Sequence, residues 1–464
     1  MRTYGSQLRG GGWPVNSKSR AADNLLVMFR RVVFLVALAL LFASCTTATV
    51  ETTTTFAGVT TTTTDASTTS TSEATTTTTL PEPTWDELPG IESLPPEVQE
   101  ELLALVRTTE EIRGLRFLEP PIISVVSEEE LESRVRQQIE EESEDFPADE
   151  ALYKLLGLLD DEVDLASLLT DLYGEQVAGY YDGDTGELVV PIRVEGFSVV
   201  QRATMVHELT HSLTDQHLEF HAVYTAMLDE ERLDEASAYQ ALIEGDASMT
   251  ELLYLQSLSQ RELGEFFAEA LDIDTSALDS APAFVQDSLI FPYDSGLAWV
   301  QQNYLRDQWE TVNAAYSAMP DLPGSTEQII TPADYQRDLP QTVELQPPSL
   351  PGYELERESV WGEFGFRIML DQVLGEEVSV DAADGWGGDY YAQWFDGQNA
   401  ALLIVFQGDT ERDTEELRSA LLDYARQAVA EEDWVWVEVL DGRLAFIAAD
   451  QIGVGESILA SIGG

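Results

Sequence analysis

The hydrophobic and polar positions of residues 198–218 follow the period of a helix. Mostly apolar side chains recur at spacings of three and four, which places them on one face. Ser198 followed by Gln201 matches a helix-capping box, in which each residue satisfies a backbone N–H of the other. The sequence therefore predicts a helix that begins at this serine. The stripe consists of Val199, Ala203, Val206, Thr210 and Leu213.

The stretch just before this helix predicts a β-hairpin. Residues 176–182 read QVAGYYD and residues 187–191 read ELVVP, and the turn sequence GDTG separates them. Short apolar runs on either side of a Gly/Asp turn are typical of a hairpin. A second helical pattern runs over residues 231–260, and residues 85–170 are predicted to be mainly helical.

The pattern changes after the proline-rich residues 339–354, which predict a boundary. Beyond them, the strand-like sequences ALLIVFQ, WVWVEVL and RLAFIAA accompany a helical pattern at 414–430 and a last helix. Residues 351–464 are therefore predicted to form a small α+β unit, and residues 85–350 a larger, mainly helical one. The predicted fold class of the whole is α+β. The sequence WGGD at Trp386–Asp389 predicts either a tight turn or the lining of a cleft.

The first 84 residues are predicted to contain a secretion signal and a spacer. Arg30 and Arg31 precede an apolar run that is too short for a membrane span and that is typical of a secretory signal. Met28 is then the expected start, so that residues 1–27 would be an upstream misreading and residues 28–45 the signal peptide. The run ends in LFASC, which resembles a bacterial lipobox and predicts lipidation of Cys45. The Thr/Ser-rich residues 46–84 predict a disordered stalk.

The net charge argues against some classes of binding partner, and the cysteine content excludes some kinds of metal site. The chain carries 85 acidic and 24 basic residues, for a net charge of −61. Such an excess argues against binding to nucleic acid or to anionic membrane surfaces. Contact with a membrane is therefore expected only through the N-terminal lipid, with the protein extracytoplasmic. Cys45 is the only cysteine, so the chain has no intrachain disulfide and no cysteine–zinc site.

The predicted helix carries the motif H-E-x-x-H as His207, Glu208 and His211. Residues four apart on a helix have Cβ atoms roughly 5–6 Å apart, so both imidazoles can reach one Zn²⁺. Glu208 is rotated by about 100° from His207 and can act on a water instead of binding the metal. With only four histidines in 464 residues, this spacing is unlike a chance match. The motif predicts metal-assisted amide hydrolysis with Glu208 as the base.

Three residues compete to be the third zinc ligand. His217 stands ten residues after His207, as in the metzincin pattern, but that pattern needs a glycine where this chain has Thr214. Glu235 and Glu244 lie on the second helix and are half a turn apart in phase, so only one can face the metal. Glu244 is favoured because its neighbours are small enough to let helices approach closely. These neighbours are Ser237, Ala241, Gly245 and Ser248.

Seven stretches, in order, resemble a largely uncharacterised family of prokaryotic surface proteins that carry H-E-x-x-H. The resemblance covers about residues 170–440 and implies a gluzincin-like zinc peptidase fold. It assigns the metal to His207, His211 and Glu244, and the base to Glu208. Thr331-Pro332 departs from relatives that often have a histidine there. The matching stretches are VAGYYDGDTGELVV, VHELTHSLTDQH, ALIEGDA, FPYDSGLAWV, PGSTEQI, GEFG and DGWGGDYY.

The functional hypothesis is a lipid-anchored zinc peptidase that acts on peptides or proteins, with an edge strand of the hairpin holding the substrate. Two alternatives stay open: a zincin-fold surface binding protein without turnover, and a zinc amidase acting on cell-wall peptide. Peptide hydrolysis also needs a group that stabilises the oxyanion. The candidates are Tyr180, Tyr181, Tyr293, Tyr390 and His217.

Overall fold

The computed structural model describes most of the chain beyond the predicted stalk. The described ranges are 85–142, 146–174, 179–191, 196–317 and 321–463. The predictions for residues 1–27, for the signal at 28–45 with its Cys45, and for the stalk at 46–84 lie outside these ranges. No helix in the described part of the chain is both long and apolar enough to cross a membrane.

The first part of the described chain is mainly helical and contains one small sheet. Its elements are α1 (Pro96–Arg113), β1 (Ile122–Val125), α2 (Glu128–Glu142), α3 (Phe146–Leu155), α4 (Leu165–Gly174), β2 (Tyr180–Asp182), β3 (Glu187–Val190), α5 (Val199–Leu218), α6 (Phe220–Asp229), α7 (Leu233–Ser257), α8 (Gln260–Ala270), α9 (Ser276–Ser280), α10 (Ala283–Asp307), α11 (Trp309–Ala315) and α12 (Thr326–Ile330).

The second part consists of a five-stranded sheet with helices. Its elements are β4 (Glu354–Ser359), α13 (Gly362–Leu374), α14 (Glu376–Ala383), β5 (Trp386–Phe395), β6 (Ala400–Gly408), α15 (Glu411–Ala428), β7 (Trp434–Leu440), β8 (Arg443–Ala449) and α16 (Ile452–Ile462). Together the two parts confirm the predicted α+β class.

The small sheet has the strand order β1–β3–β2. The hairpin of β2 and β3 is antiparallel, as the sequence predicts. The prediction of a mainly helical region at 85–170 missed β1, which runs parallel to β3 and pairs Ile123 with Leu188. Four residues are too few to show a strand period, and it is this pairing, with Ile123 buried in the core, that fixes the strand.

Helix α5 begins where the capping box predicts. The Ser198 Oγ accepts from the Gln201 N–H at 3.2 Å, and the Gln201 Oε1 accepts from the Ser198 N–H at 3.0 Å. The predicted apolar stripe underestimates its burial, because every residue from Ala203 to Thr214 is buried. Helices α1, α7 and α8 and the small sheet surround it. The H-E-x-x-H motif therefore lies inside the protein.

Helix α7 confirms the second predicted helix, but its small residues serve a different neighbour from the one expected. They were expected to let α7 approach the zinc-site helix. Instead, a Cβ on Gly245 would lie 2.3 Å from the backbone of Gly296 in α10, and a Cβ on Gly296 would lie 2.0 Å from the carbonyl oxygen of Ala241. The glycines therefore allow α7 and α10 to pack backbone against backbone.

We expect Gly245→Ala to destabilise the fold by about 1–3 kcal/mol, because the added methyl overlaps a backbone that cannot rotate away. Gly264→Ala is the matched control, since Gly264 also lies in a helix but a Cβ there meets nothing within 4 Å. The control should be neutral or slightly stabilising because alanine is the better helix former. Urea unfolding measures both, and equal stability of the two variants would contradict this packing.

The larger sheet is antiparallel and has the order β4–β5–β6–β8–β7. Strands β6, β7 and β8 and helices α15 and α16 confirm the predicted elements. Of the two alternatives for Trp386–Asp389, the tight turn is wrong: these residues begin β5, with a register shift between Trp386 and Gly388. Trp386 and Asp389 also line a cleft together with Gln341, as the other alternative predicts. The Asp389 carboxylate holds this start by accepting from the Trp361 N–H at 2.7 Å and from the Trp386 indole N–H at 2.7 Å.

The proline-rich residues 339–353 form neither helix nor strand. Val343 and Leu350 are nevertheless buried against the outer face of the larger sheet. The opposite face of the sheet shares one apolar core with the helical part. The residues of this core come from positions between Val126 and Ala448 in the sequence. The domain boundary near residue 350 stays a prediction.

Candidate metal centre

Three of the side chains singled out in the sequence meet between α5 and α7. His207 and His211 come from successive turns of α5, and Glu244 comes from the middle of α7. The His207 Nε2 lies 3.1 Å from the Glu244 Oε2, and the His211 Nε2 lies 3.3 Å from the same oxygen. All three ligand atoms lie within 4.8 Å of one another. We call His207, His211 and Glu244 the HHE cluster.

The HHE cluster has the donor set and the spacing that zinc requires. Two imidazole nitrogens and one carboxylate oxygen are among the ligands that Zn²⁺ takes in catalytic sites. With zinc–ligand bonds of about 2.0–2.1 Å, neighbouring ligands of a tetrahedral site stand about 3.3 Å apart. The two nitrogen–oxygen distances of 3.1 and 3.3 Å match this value. The cluster therefore fits a zinc ion without rearrangement of the helices.

The other two candidates for the third ligand point elsewhere. Helix α5 continues through Thr214 to Leu218, so the chain does not turn as the metzincin pattern requires. The His217 Nε2–H donates to the carbonyl oxygen of Arg116 at 2.6 Å. Glu235 is half-buried and accepts from the Arg232 guanidinium at 2.9 Å. Neither belongs to the HHE cluster.

Glu208 stands next to the cluster and is held by the hairpin. Its Oε2 accepts from the backbone N–H of Tyr181 in β2 at 2.9 Å. The Tyr181 hydroxyl in turn donates to the Asp215 carboxylate, about two turns beyond Glu208 along α5, at 2.8 Å. The small sheet thus fixes the orientation of Glu208, and its second carboxylate oxygen is left for another partner. The roles of the Tyr181 backbone and of Asp215 were not predicted, because no local pattern indicates them.

Burial and neighbouring charges act on the titration of the site in opposite directions. Burial raises the pKa of Glu208. Burial would also raise the pKa of Glu244, but the two histidines outweigh it and lower the pKa to about 2. Burial lowers the pKa of His207, and its carboxylate neighbours outweigh this and raise the pKa to about 9. The cluster therefore favours a positive charge between its side chains, which a metal ion supplies.

The sequence analysis missed one buried carboxylate of the site. Glu251 is 1% exposed, and its Oε2 lies 3.5 Å from the His207 Nδ1. A carboxylate on the far nitrogen sets the tautomer of a metal-binding histidine and orients its ring. The signal in the sequence was the spacing: Glu251 follows Glu244 by seven residues, which returns it to the same face of α7 two turns later.

We expect Glu251→Gln to weaken zinc binding by about 10–100-fold, as is usual when a partner of a ligating histidine is changed. The amide keeps the size of the side chain but does not favour the Nδ1–H tautomer of His207 as a carboxylate does. Competition with a chromophoric chelator measures the affinity. Glu265→Gln on the exposed face of α8 is the control, and an unchanged affinity in Glu251→Gln would contradict the orienting role.

Four of the five oxyanion candidates contact groups outside the HHE cluster. The hydroxyl of Tyr181 donates to Asp215, that of Tyr390 donates to Glu358 at 2.8 Å, and His217 donates to a backbone carbonyl. Tyr180 interacts with Arg134. Tyr293 of α10 is the one that lies against the cluster, with its ring centroid 6.3 Å from that of His207.

The cluster is nearly enclosed. His207 and Glu208 are buried, and His211 and Glu244 are each 7% exposed. The rings of Tyr293 and Phe220 pack beside His207 and His211, respectively. Access is therefore limited to the side on which His211 and Glu244 retain some exposure.

Comparisons with known proteins give limited likeness. A domain family of unknown function, DUF8575, matches residues 352–450, which contain all five strands of the larger sheet and lie outside the HHE cluster. Among solved structures, a crystal structure of a hydrolase candidate with a novel fold from Chloroflexus aurantiacus is 20% identical, covers 51% of this chain and 88% of that chain, and has a TM-score of 0.36. At that score the likeness carries no argument. No curated protein matches the sequence.

Proposed function

We propose that the protein is a zinc-dependent peptidase with a gluzincin-like active site, in which His207, His211 and Glu244 hold the metal. The observation that carries the proposal is the convergence of the three side chains at the spacing of a tetrahedral site, with Glu208 beside them. Three protein ligands leave the fourth position of a zinc ion open for catalysis. The lipid anchor and the extracytoplasmic location stay proposals from the sequence.

The residues of the site have separate tasks in this proposal. When bound, zinc supplies a Lewis acid that polarises a carbonyl and lowers the pKa of a coordinated water. Glu208 takes a proton from the attacking water as its oxygen bonds to the carbonyl carbon, and gives a proton to the amine as the C–N bond breaks. Burial raises the pKa of Glu208, which makes its carboxylate a stronger base for this exchange. Tyr293 is the candidate to stabilise the oxyanion.

The hairpin offers a short strand edge on which a peptide substrate could bind. Strand β2 lies at the edge of its sheet and beside α5, where an extended peptide could add as a further strand. Only three residues form this edge, and the Tyr181 N–H already donates to Glu208. The remaining edge can hold a short segment, so most substrate contacts would come from side chains.

A second candidate function is a surface binding protein that holds zinc without turnover. The enclosure of the cluster favours it, because structural zinc sites are closed and catalytic ones keep an open position. The position of Glu208 favours the peptidase, because a structural site needs no base held by a backbone N–H. A zinc amidase acting on cell-wall peptide would use the same residues on a different substrate.

One digestion experiment separates the three functions. The zinc-loaded chain is incubated with an unfolded, alkylated protein and with stem peptides of a bacterial cell wall, and mass spectrometry identifies new termini. The peptidase predicts cleavage within the unfolded protein that stops after chelation and returns with zinc. Cleavage of the stem peptides alone would establish the amidase, and no cleavage of either substrate would leave the binding protein.

A further inference from the structure

A second group of acidic side chains converges far along the chain from the HHE cluster. Glu327 comes from α12, Asp338 from the loop that follows it, and Asp409 from the end of β6. One carboxylate oxygen from each lies within 4.8 Å of the other two. We call Glu327, Asp338 and Asp409 the acidic triad.

The position of Glu327 sets the triad apart from an ordinary acidic surface. Glu327 is only 4% exposed, yet its carboxylate has neither a hydrogen bond nor an ion pair within the described ranges of the chain. A buried carboxylate without a partner is costly, and such groups are usually paired or bound to a metal. Its oxygen points at the carboxylates of Asp338 and Asp409. Asp338 and Asp409 face solvent, so the triad is buried at Glu327 and accessible from the side of the other two carboxylates.

The surroundings add negative rather than positive charge. Glu363 and Asp334 also act on Glu327 through their charges, and Arg367 is paired with Glu363. Among the described residues, no arginine or lysine pairs with a member of the triad. The Gln341 amide donates to the triad, at 3.3 Å from the Asp409 Oδ1, and a hydrogen bond between the Asp338 and Asp409 carboxyl groups contributes to the raised pKa of Asp409. Burial, together with this charge, raises the pKa of Glu327 to about 9.

We propose that the acidic triad is a binding site for a divalent cation that prefers oxygen ligands, namely Ca²⁺. The triad offers carboxylate oxygens only, which calcium favours. It has none of the nitrogen or sulfur donors that are typical of zinc sites. Calcium–oxygen bonds of about 2.3–2.6 Å place ligands on opposite sides of the ion about 4.6–5.2 Å apart. The limit of 4.8 Å between the triad oxygens is compatible with this span. Water fills the coordination positions on the open side.

The cation would join the two parts of the protein. Helix α12 packs on α7, which carries Glu244, whereas Asp409 leads from the sheet into α15. A single ion on all three carboxylates therefore ties the helical part, the loop before the proline-rich segment and the larger sheet together. Binding to the folded state alone stabilises it by mass action. The role is structural and does not depend on whether the HHE cluster is catalytic.

The proposal is tested by thermal unfolding of the full, zinc-loaded chain. The buffer is first freed of calcium by a chelating resin. We expect Ca²⁺ at about a hundredfold above its dissociation constant to raise Tm by about 5 °C. Mg²⁺ should raise it less, because it demands stricter geometry and gives up water reluctantly. Sodium chloride at matched ionic strength measures the effect of screening on this acidic chain. Zinc content is determined in parallel, to confirm that the HHE cluster is unchanged.

Two variants make the test specific. Glu327→Gln should remain folded, with an unchanged or higher Tm without calcium because it removes a buried ionisable group, and should lose the calcium-dependent shift. Asp334→Asn changes a neighbouring carboxylate outside the triad and should keep the shift. The proposal is overturned if calcium does not raise the Tm of the parent, since the triad is then neutralised by protons. It is equally overturned if Glu327→Gln responds to calcium as the parent does.

Discussion

Glu208→Gln is expected to reduce peptide hydrolysis by about 10²–10⁴-fold while leaving zinc bound at the parental stoichiometry. The amide cannot take a proton from water, but its oxygen can still accept from the Tyr181 N–H that holds Glu208 at 2.9 Å. The side chain is not a member of the HHE cluster, so the metal ligands are untouched. Turnover of a cleaved peptide and zinc content by mass spectrometry are measured on the same preparation.

The matched control for Glu208→Gln is Glu265→Gln, the same chemical change on the exposed face of α8, where the carboxylate accepts from Arg261. The control should hydrolyse peptide at the parental rate. If Glu208→Gln is as active as the parent on every cleaved substrate, Glu208 is not the base and the proposed mechanism is wrong. Loss of zinc in this variant would instead give Glu208 a part in metal binding.

Changing a residue that only supports a metal ligand typically weakens zinc binding by about 10–100-fold. Glu244→Ala is expected to weaken it by more, because it removes one of the three ligands themselves. Glu244 supplies the single oxygen that lies between the two imidazoles, at 3.1 and 3.3 Å. The remaining pair, His207 and His211, cannot complete a tetrahedral protein site. Isothermal titration of zinc into the metal-stripped variant measures the loss.

Two control variants accompany Glu244→Ala, one for each competing ligand. His217→Ala removes a contact with the Arg116 carbonyl, and Glu235→Ala removes an ion pair with Arg232. Both lie outside the HHE cluster and should bind zinc with parental stoichiometry. Normal zinc binding in Glu244→Ala, together with its loss in His217→Ala, would overturn the gluzincin-like assignment and favour a metzincin-like one.

The local parts of the site could be predicted because they depend on spacing along one or two helices. The four-residue step from His207 to His211 and the capping box at Ser198 each follow from the helical period. The choice of Glu244 over Glu235 used the same period. Its supporting argument was less sound, since Gly245 faces α10 rather than α5. Glu244, which does join the HHE cluster, was thus favoured partly for a reason that belongs to another interface.

The remaining parts could not be predicted because they depend on contacts between distant segments. Strand β1 exists through its pairing with β3, more than sixty residues later in the chain. The start of β5 looks like a turn in the sequence, and the hydrogen bonds to Asp389 hold it as a strand. The acidic triad draws on residues 327, 338 and 409, whose only sequence signal is an acidity common to the whole chain. Pattern and propensity do not contain such pairings.

Anomalous diffraction at the zinc absorption edge, from crystals of the zinc-loaded chain, tests the central claim most directly. The account predicts one strong peak between α5 and α7, within about 2.0–2.2 Å of the His207 Nε2, the His211 Nε2 and a carboxylate oxygen of Glu244. A peak that includes His217 or Glu235 in place of Glu244, or the absence of any peak at the HHE cluster, would contradict it.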